Sequence, residues 1–216
     1  ETKVHIKSIH SEEITRANAK DLLAGLDGIL VAPGFGNRGV EGKINAVEYA
    51  RVNKIPFMGI CLGMQCAVVE FARNVLGYAD AHSREMNSDT KHPVIDIMAE
   101  QKNIVNMGGT MRLGAYPCRV SEDSNLSKAY GETMISERHR HRYEFNNEYL
   151  EEFKKHGMKV TGINPDTNLV EVVEVEDHPW YVASQYHPEY KSTVAKPHPM
   201  FVGFVKAMLE YNKINN

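Results

Sequence analysis

The sequence predicts an α/β fold: an open, mainly parallel sheet flanked by helices, with an antiparallel hairpin near the C-terminus. Two observations predict it. Apolar, β-branched segments alternate with helical patterns through the first third of the chain, and strand, helix, strand order favours parallel pairing. In the last third, two strand-like runs are joined by only three residues, Asp177 to Pro179, which favours antiparallel pairing.

Each element follows from a local pattern of apolar residues and chain-breaking residues. VHIKSI, GILVA and PFMGI are short apolar runs typical of strands, whereas the segments between them repeat apolar residues at helical spacing. Prolines 197 and 199 introduce the closing helix. The segment 87–106 has no clear pattern, and we expect it to be irregular and mobile. The predicted elements are strands at 4–9, 28–32, 56–60, 169–176 and 180–185, and helices at 40–53, 63–75 and 199–211.

Composition indicates an ordinary globular protein. The chain of 216 residues has 42% hydrophobic and 25% charged residues and a net charge of -3, which argues against a broad nucleic-acid surface. Its length is enough for one domain, 1–216, that buries about 70% of the surface exposed when unfolded. No apolar run approaches the roughly 20 residues that span a bilayer, so we expect no membrane association. The first residue is Glu1, so we expect the chain to be cut from a longer protein.

The three cysteines point to a reducing compartment, and we expect a cytoplasmic protein. They are odd in number and lack CxxC spacing, which argues against a disulfide framework and against a zinc site. We expect no bound metal. Cys66 and Cys118 have no special setting and are predicted to be packing residues.

Two glycine-rich stretches are candidate nucleotide-binding sites. GFGNRG (34–39) has the spacing G-x-G-x-x-G after a predicted strand, but no carboxylate follows at 54–60, where such a site would need one for a ribose. GVEGKI (39–44) is too short for a phosphate-binding loop and lacks a Ser or Thr after Lys43. Neither stretch predicts a phosphate site.

Cys61 lies in GICLGMQ, between a predicted strand and a predicted helix. Gly59 and Gly63 give it the spacing G-x-C-x-G, the cysteine counterpart of a nucleophile elbow, in which flanking glycines allow a strained backbone. A helix N-terminus also favours the thiolate. A small buried packing residue is the alternative, and the flanking glycines favour a nucleophile.

A cysteine nucleophile needs a base, and QYHPEY (185–190) offers one. His187 is predicted at the carboxyl end of a strand, with Glu189 two residues on to orient and charge the ring. Acyl transfer also needs two N–H donors for the oxyanion. We expect one from Leu62 and the other from Gly34, since nothing blocks the approach of a glycine backbone. Most other histidines lie in polar loops and are predicted to be solvated: His10, His92, His156 and His178.

Six stretches together resemble a known family, the class I glutamine amidotransferase domain of CTP synthases. The cysteine elbow and the His-Pro-Glu are shared by class I amidotransferases in general, and the resemblance implies their flavodoxin-like fold. The motifs that are specific to the CTP synthase domain are GFGxRGxEGKI, GGTMRLG and RHRHRYE. The stretches are GICLGMQ (59–65), QYHPE (185–189), GFGNRGVEGKI (34–44), AHSRE (81–85), GGTMRLG (108–114) and ERHRHRYEFNN (137–147).

The resemblance implies roles for residues that match the family's motifs. Cys61, His187 and Glu189 match its catalytic triad, and Gly34 matches a glycine that contacts glutamine and the oxyanion. The residues expected to line the glutamine pocket are Gly34, Leu62, Gly63, Met64, Gln65, Glu85 and Arg142. A carboxylate such as Glu85 can pair with the ammonium of a free amino acid, and Arg142 can grip its carboxylate. Strand alternation is expected to put Arg138, Arg140 and Arg142 on one face and His139, His141 and Tyr143 on the other.

The implied activity is hydrolysis of L-glutamine to glutamate and ammonia through a glutamyl thioester. In the family, the ammonia passes to a synthase domain of the same polypeptide, which uses ATP and Mg to aminate UTP, with GTP as activator; the full-length enzyme is expected to be a homo-oligomer. No cofactor is expected in this domain. A thiol hydrolase of γ-glutamyl substrates and a catalytically silent domain kept for binding or assembly are the alternatives.

Three departures from the family pattern accompany the resemblance. Pro33 stands where the family usually has a glycine, which removes one N–H and stiffens the loop before Gly34. The region before GGTMRLG is about ten residues shorter than the resemblance implies, which bears on the response to GTP. The family's synthase domain and its first strand and helix, expected before residue 1, do not occur in this sequence.

Overall fold

The computed structural model describes residues 2–97 and 111–215. Its main feature is a seven-stranded sheet with helices on both faces, and a small three-stranded sheet lies beside it. The strands are β1 Ile29–Val31, β2 Phe57–Ile60, β3 His82–Ser83, β4 Pro93–Ile97, β5 Arg112–Val120, β6 Met134–His141, β7 Tyr143–Phe145, β8 Met158–Ile163, β9 Val170–Val175 and β10 Tyr181–Ser184. The helices are α1 Ala19–Leu23, α2 Val40–Val52, α3 Leu62–Asn74, α4 Asn125–Tyr130, α5 Leu150–Lys155 and α6 Pro199–Asn215.

The large sheet has the order β1-β2-β10-β9-β8-β5-β6, and the small one β3-β4-β7. In the large sheet β2 pairs in parallel with both β1 and β10, whereas the four pairs from β10 to β6 are antiparallel. The α/β class with flanking helices and the β9–β10 hairpin are therefore confirmed. The sheet is mixed rather than mainly parallel, because β5, β6 and β8 extend it through antiparallel pairs. Of these three strands, the sequence indicated only part of β6, through the alternation at 138–143.

The core has two layers because successive residues of a strand point to opposite faces of the sheet. On β2, Phe57 packs with α2 and α3 on one face, while Met58 and Ile60 pack with α4 and α6 on the other. β10 alternates in the same way, with Tyr181 on the first face and Val182 on the second. β2 and β10 thus pair with each other and are covered by helices on both faces.

The predicted helices and most predicted strands are confirmed within a few residues, and α6 continues to Asn215. The predicted strand at 4–9 is wrong: this segment has no regular structure, and Val4 and Ile6 are 47% and 87% exposed. Its alternating apolar side chains find no sheet face to cover, and strand preference depends on such a face.

Two other expectations are corrected. Within the segment predicted to be irregular, Pro93–Ile97 forms β4, which pairs with β7; residues 98–106 of that segment lie outside the described residues. His178 is buried rather than solvated. Its ring is paired inside the protein: Nδ1 accepts a hydrogen bond from the N–H of Trp180, and Nε2 contacts the carbonyl of Ala50. In the described part of the chain, no helix is long and apolar enough to cross a membrane.

Candidate active site

Cys61 occupies a strained turn between β2 and α3. Its φ of 52° and ψ of -102° lie in a region that non-glycine residues rarely adopt, as expected for a nucleophile elbow. The backbone holds this conformation firmly: the N–H of Cys61 donates to Ser184 O at 2.7 Å, and its carbonyl accepts from the N–H of Gln65 at 3.1 Å.

The glycines on either side of Cys61 are required by close packing. A Cβ on Gly63 would lie 2.2 Å from the carbonyl oxygen of Val31, and a Cβ on Gly59 would lie 2.8 Å from the backbone of Gly63. Both contacts are with backbone atoms that cannot rotate away. The spacing G-x-C-x-G is therefore a packing requirement of the turn from β2 into α3 and its approach to β1.

The Cys61 thiol is buried, with 5% of the residue exposed. Burial raises the pKa of Cys61 to about 12, and the backbone N–H of Leu62 acts in the opposite direction. The helix N-terminus favours the thiolate, as the sequence suggested, but desolvation is the larger effect. In the substrate-free protein the sulfur is therefore a neutral thiol that needs a base.

His187 and Glu189 form a pair just beyond β10. His187 Nδ1 lies 2.6 Å from Glu189 Oε1, and the N–H of His187 donates to Arg138 O on β6 at 2.8 Å. The Tyr190 ring stacks on the imidazole, with centroids 4.9 Å apart and planes at 10°. The other ring nitrogen, Nε2, is buried and has no hydrogen-bond partner among the described residues. The ring is thus fixed with Nε2 available for proton transfer.

Cys61, His187 and Glu189 line one cavity of about 510 Å³. Four other residues singled out from the sequence also line it: Gly34, Gln65, Glu85 and Arg142. The other described residues that line it are Pro33, Phe35, Met111, Arg140, His141, Tyr143 and Tyr190. The volume is in the range of small-molecule sites.

Three expected pocket residues, Leu62, Gly63 and Met64, do not line the cavity. The Met64 side chain is fully buried in the core, and Gly63 packs against β1. Helical geometry explains this result, because α3 begins at Leu62 and points only some of its first residues toward the cavity. These three residues can still offer a ligand their backbone N–H groups.

The polar residues of the cavity come from separate elements. Glu85 Oε1 accepts a hydrogen bond from the N–H of Gly36 at 3.3 Å, which links the segment after β3 to the loop after β1. Arg142 lies between β6 and β7. The expected alternation in this stretch is confirmed on β6, where His139 and His141 are buried and Arg138 and Arg140 are exposed.

The loop that carries Pro33 and Gly34 passes directly over the start of α3. A Cβ on Gly34 would lie 3.2 Å from Leu62 Cδ2, so the two predicted oxyanion residues are neighbours. Pro33 itself lines the cavity and donates no N–H. The arrangement leaves the amides of Gly34 and Leu62 as the candidate donors in this loop and turn.

Sequence reasoning missed a buried ionic cluster on β5, β7 and β9 behind the cavity. Arg112 contacts Glu171 at 2.8 Å and Glu144 at 3.3 Å, and all three side chains are at most 7% exposed. Burial raises the pKa of Glu144 to about 8 and lowers the pKa of the adjacent His141 to about 3. No sequence signal pairs these residues, because they lie on strands that are far apart in the chain and belong to two different sheets.

The family model for class I glutamine amidotransferases matches residues 1–207. The fold, the cysteine elbow and the His-Glu pair agree with that match, and this chain belongs to the class I glutamine amidotransferase family.

Within that family, the chain is similar to CTP synthases, so the resemblance seen in the sequence is confirmed. It is 61% identical over 99% of its length to a CTP synthase of Flavobacterium johnsoniae and 61% identical over 98% to one of Clostridium beijerinckii. It spans only 40% of each of these relatives. A solved structure, the glutaminase domain of Trypanosoma brucei CTPS with bound acivicin, is 39% identical with a TM-score of 0.92, over 97% of this chain and 82% of that one.

Proposed function

We propose that this chain hydrolyses the side-chain amide of L-glutamine through a thioester on Cys61, with His187 and Glu189 completing a catalytic triad. One observation carries the proposal: a strained cysteine turn and a His-Glu pair line the same cavity, and the ring nitrogen of His187 that faces away from Glu189 is unpartnered among the described residues. Membership of the amidotransferase family supports glutamine as the substrate.

The chemistry follows from the state of the two reacting groups. His187 Nε2 takes the proton of the neutral Cys61 thiol, and the sulfur attacks the amide carbon of glutamine. The protonated His187 then gives its proton to the amide nitrogen, so ammonia leaves and a glutamyl thioester remains. A water molecule, deprotonated by His187, attacks the thioester; glutamate leaves and the thiol regains its proton. Glu189 stabilises the positive ring in both halves.

The oxyanion is stabilised by the N–H groups of Leu62 and Gly34. Gly34, in the loop after β1, is a neighbour of Leu62, at the start of α3. The N–H of Leu62 is already directed at the Cys61 sulfur, where it lowers the pKa of the thiol. Pro33 fixes the backbone just before Gly34 and so limits how far that loop can reorient. Preorganised donors of this type contribute roughly 10²- to 10³-fold each to the rate.

Glutamine is held at its amino-acid end by charge and at its amide end by Gln65. Glu85 pairs with the ammonium and Arg142 with the α-carboxylate, while the side-chain oxygen of Gln65 offers an acceptor to the substrate amide. All three line the cavity. Leu62, Gly63 and Met64 contribute through their backbone N–H groups at the start of α3.

The relatives extend the proposal beyond this chain. Because they are CTP synthases of which it spans 40%, we propose that it acts within a longer polypeptide. There the ammonia would pass to a synthase domain that aminates UTP with ATP and Mg, in a homo-oligomer regulated by GTP. The three free, buried cysteines suit a reducing compartment, and we place the protein in the cytoplasm.

The test is a glutaminase assay on Cys61→Ala, with Cys118→Ala as the matched control at another buried cysteine. Cys61→Ala should lose roughly 10⁴-fold or more of the activity and keep its thermal unfolding transition. Cys118→Ala should keep its activity. Normal turnover by Cys61→Ala would overturn the proposal. Parallel assays with γ-glutamyl peptides distinguish glutamine hydrolysis from a γ-glutamyl hydrolase.

A further inference from the structure

Gln185 contacts the Cys61 sulfur directly. Its Nε2 lies 3.6 Å from Cys61 Sγ, within range for an N–H donor to sulfur. Gln185 follows β10, is fully buried, and is anchored by its backbone N–H, which donates to Glu171 O at 2.8 Å. A buried amide at this place is costly unless its polar atoms are used.

The orientation of the Gln185 amide is set by Gln65. Gln65 Nε2 donates to Gln185 Oε1 at 3.3 Å and to the carbonyl of Tyr143 at 3.2 Å, which uses both of its N–H bonds. Because Gln185 Oε1 is the acceptor for Gln65, its NH₂ group faces the sulfur. A continuous path of hydrogen bonds therefore runs from Tyr143 beside Arg142, through the two amides, to Cys61.

An N–H donor at this position matters most when the sulfur is charged. Burial disfavours the thiolate of Cys61, and a hydrogen bond to a charged acceptor is stronger than one to a neutral acceptor. The donor therefore favours the thiolate over the thiol. Leu62, at the start of α3, supplies one such N–H, and the side chain of Gln185, just after β10, supplies a second.

We propose that Gln185 is a further catalytic residue, whose side-chain amide aims and stabilises the Cys61 thiolate while Gln65 holds that amide in orientation. The inference rests on the proposed thioester chemistry. As His187 removes the proton, the S–H bond breaks and its electron pair stays on Sγ, where the Gln185 N–H donates to it. When the S–C bond forms, the charge moves to the carbonyl oxygen and the contact weakens.

The experiment compares Gln185→Met and Gln185→Glu with the wild type in the full-length protein. Met keeps the length of the side chain and removes the donor, whereas Glu keeps the shape and places an acceptor at the sulfur. The readouts are kcat and KM for glutamine and the rate of Cys61 alkylation by iodoacetamide at one fixed pH, followed by mass spectrometry. Cys118→Ala is the control, because Cys118 is equally buried but lies on β5 and does not line the cavity.

For Gln185→Met, the alkylation rate of Cys61 should fall by about tenfold, and kcat should fall by about tenfold with a smaller change in KM. Gln185→Glu should lower the alkylation rate further. Cys118→Ala should keep the wild-type rate. A merely structural Gln185 would lower the unfolding temperature without lowering this rate.

A wild-type alkylation rate in Gln185→Met, or in Gln185→Glu if the Met variant does not fold, would overturn the inference. That result leaves the proposed function intact if Cys61→Ala is inactive. If instead Cys61→Ala turns over glutamine normally, the proposed function fails first, and this role for Gln185 fails with it.

Discussion

The Nδ1 atom of His187 lies 2.6 Å from Oε1 of Glu189, and only Pro188 separates the two residues in the chain. The segment Pro188–Lys191 is a 3₁₀ turn, which bends Glu189 back toward the imidazole. A proline at its first position presets the backbone angle. A two-residue spacing thus brings the carboxylate into contact with the ring through local structure alone.

We predict that Glu189→Gln lowers kcat/KM by about 10²- to 10⁴-fold, because an amide can still contact the ring but cannot stabilise its positive charge. The fold should be unaffected, since Glu189 lies at the cavity. Steady-state glutaminase kinetics and thermal unfolding measure the two effects. Glu151→Gln, on the exposed face of α5, is the matched control and should behave as the wild type. A Glu189→Gln variant with wild-type kinetics would remove Glu189 from the triad.

The stacking of Tyr190 on His187 gives a second prediction. Tyr190→Leu should lower kcat/KM by roughly two- to tenfold, since an aromatic pair contributes about 0.5 to 1.5 kcal/mol to holding the ring. Tyr190→Phe keeps the stacked ring and should stay near the wild type. If both variants lose activity equally, the hydroxyl rather than the ring is what matters.

The packing of the cysteine turn predicts unequal effects at two glycines. Gly63→Ala brings a Cβ to 2.2 Å from a backbone carbonyl of β1 and should destabilise the fold by about 1 to 3 kcal/mol or more. Gly34→Ala meets only the Leu62 side chain at 3.2 Å, which can move, so its free energy of unfolding should change by less than about 1 kcal/mol. Denaturant unfolding of both variants measures this. Equal stabilities would contradict the packing argument.

The buried His178 predicts a dependence of stability on pH. Burial lowers its pKa from the ordinary 6.5 to about 4 in the folded protein. Between these values the unfolded chain binds a proton that the folded chain does not, so stability is full above pH 6.5 and falls as the pH drops toward 4. His178 alone contributes up to about 3 kcal/mol to this fall.

Denaturant unfolding at a series of pH values measures this contribution. His178→Gln should show a smaller loss of stability than the wild type between pH 6.5 and 4. His156→Gln, at an exposed position after α5, should keep the wild-type slope. An unchanged slope in His178→Gln would refute the assignment.

The parts of the site that were predictable from the sequence are those encoded locally. Gly59 and Gly63 mark the turn at Cys61, and His187 and Glu189 are two residues apart. The contact of Gln185 with Cys61 was not predictable, because it depends on the parallel pairing of β10 with β2. The same holds for Arg112 and Glu171, which meet only through the order β9-β8-β5. Local patterns carry no information about such pairings.

The errors in the fold have a related cause. The segment 4–9 has strand-like residues but no neighbour to pair with, so it stays irregular. β5 and the first half of β6 were not predicted, because charged and aromatic residues interrupt their apolar pattern, and one face of β6 is exposed. Strand formation there is decided by the eight-residue antiparallel register between them.

The central claim is that Cys61 is the nucleophile of a glutamine site, and mass spectrometry after labelling with a glutamine-mimicking electrophile tests it most directly. Acivicin, the compound bound in the Trypanosoma brucei structure, is a suitable reagent. The account predicts one adduct, on the peptide that contains Cys61, suppressed by excess glutamine, with Cys66 and Cys118 unmodified. Loss of activity with the adduct on another residue, or labelling of Cys61 that glutamine does not suppress, would contradict it.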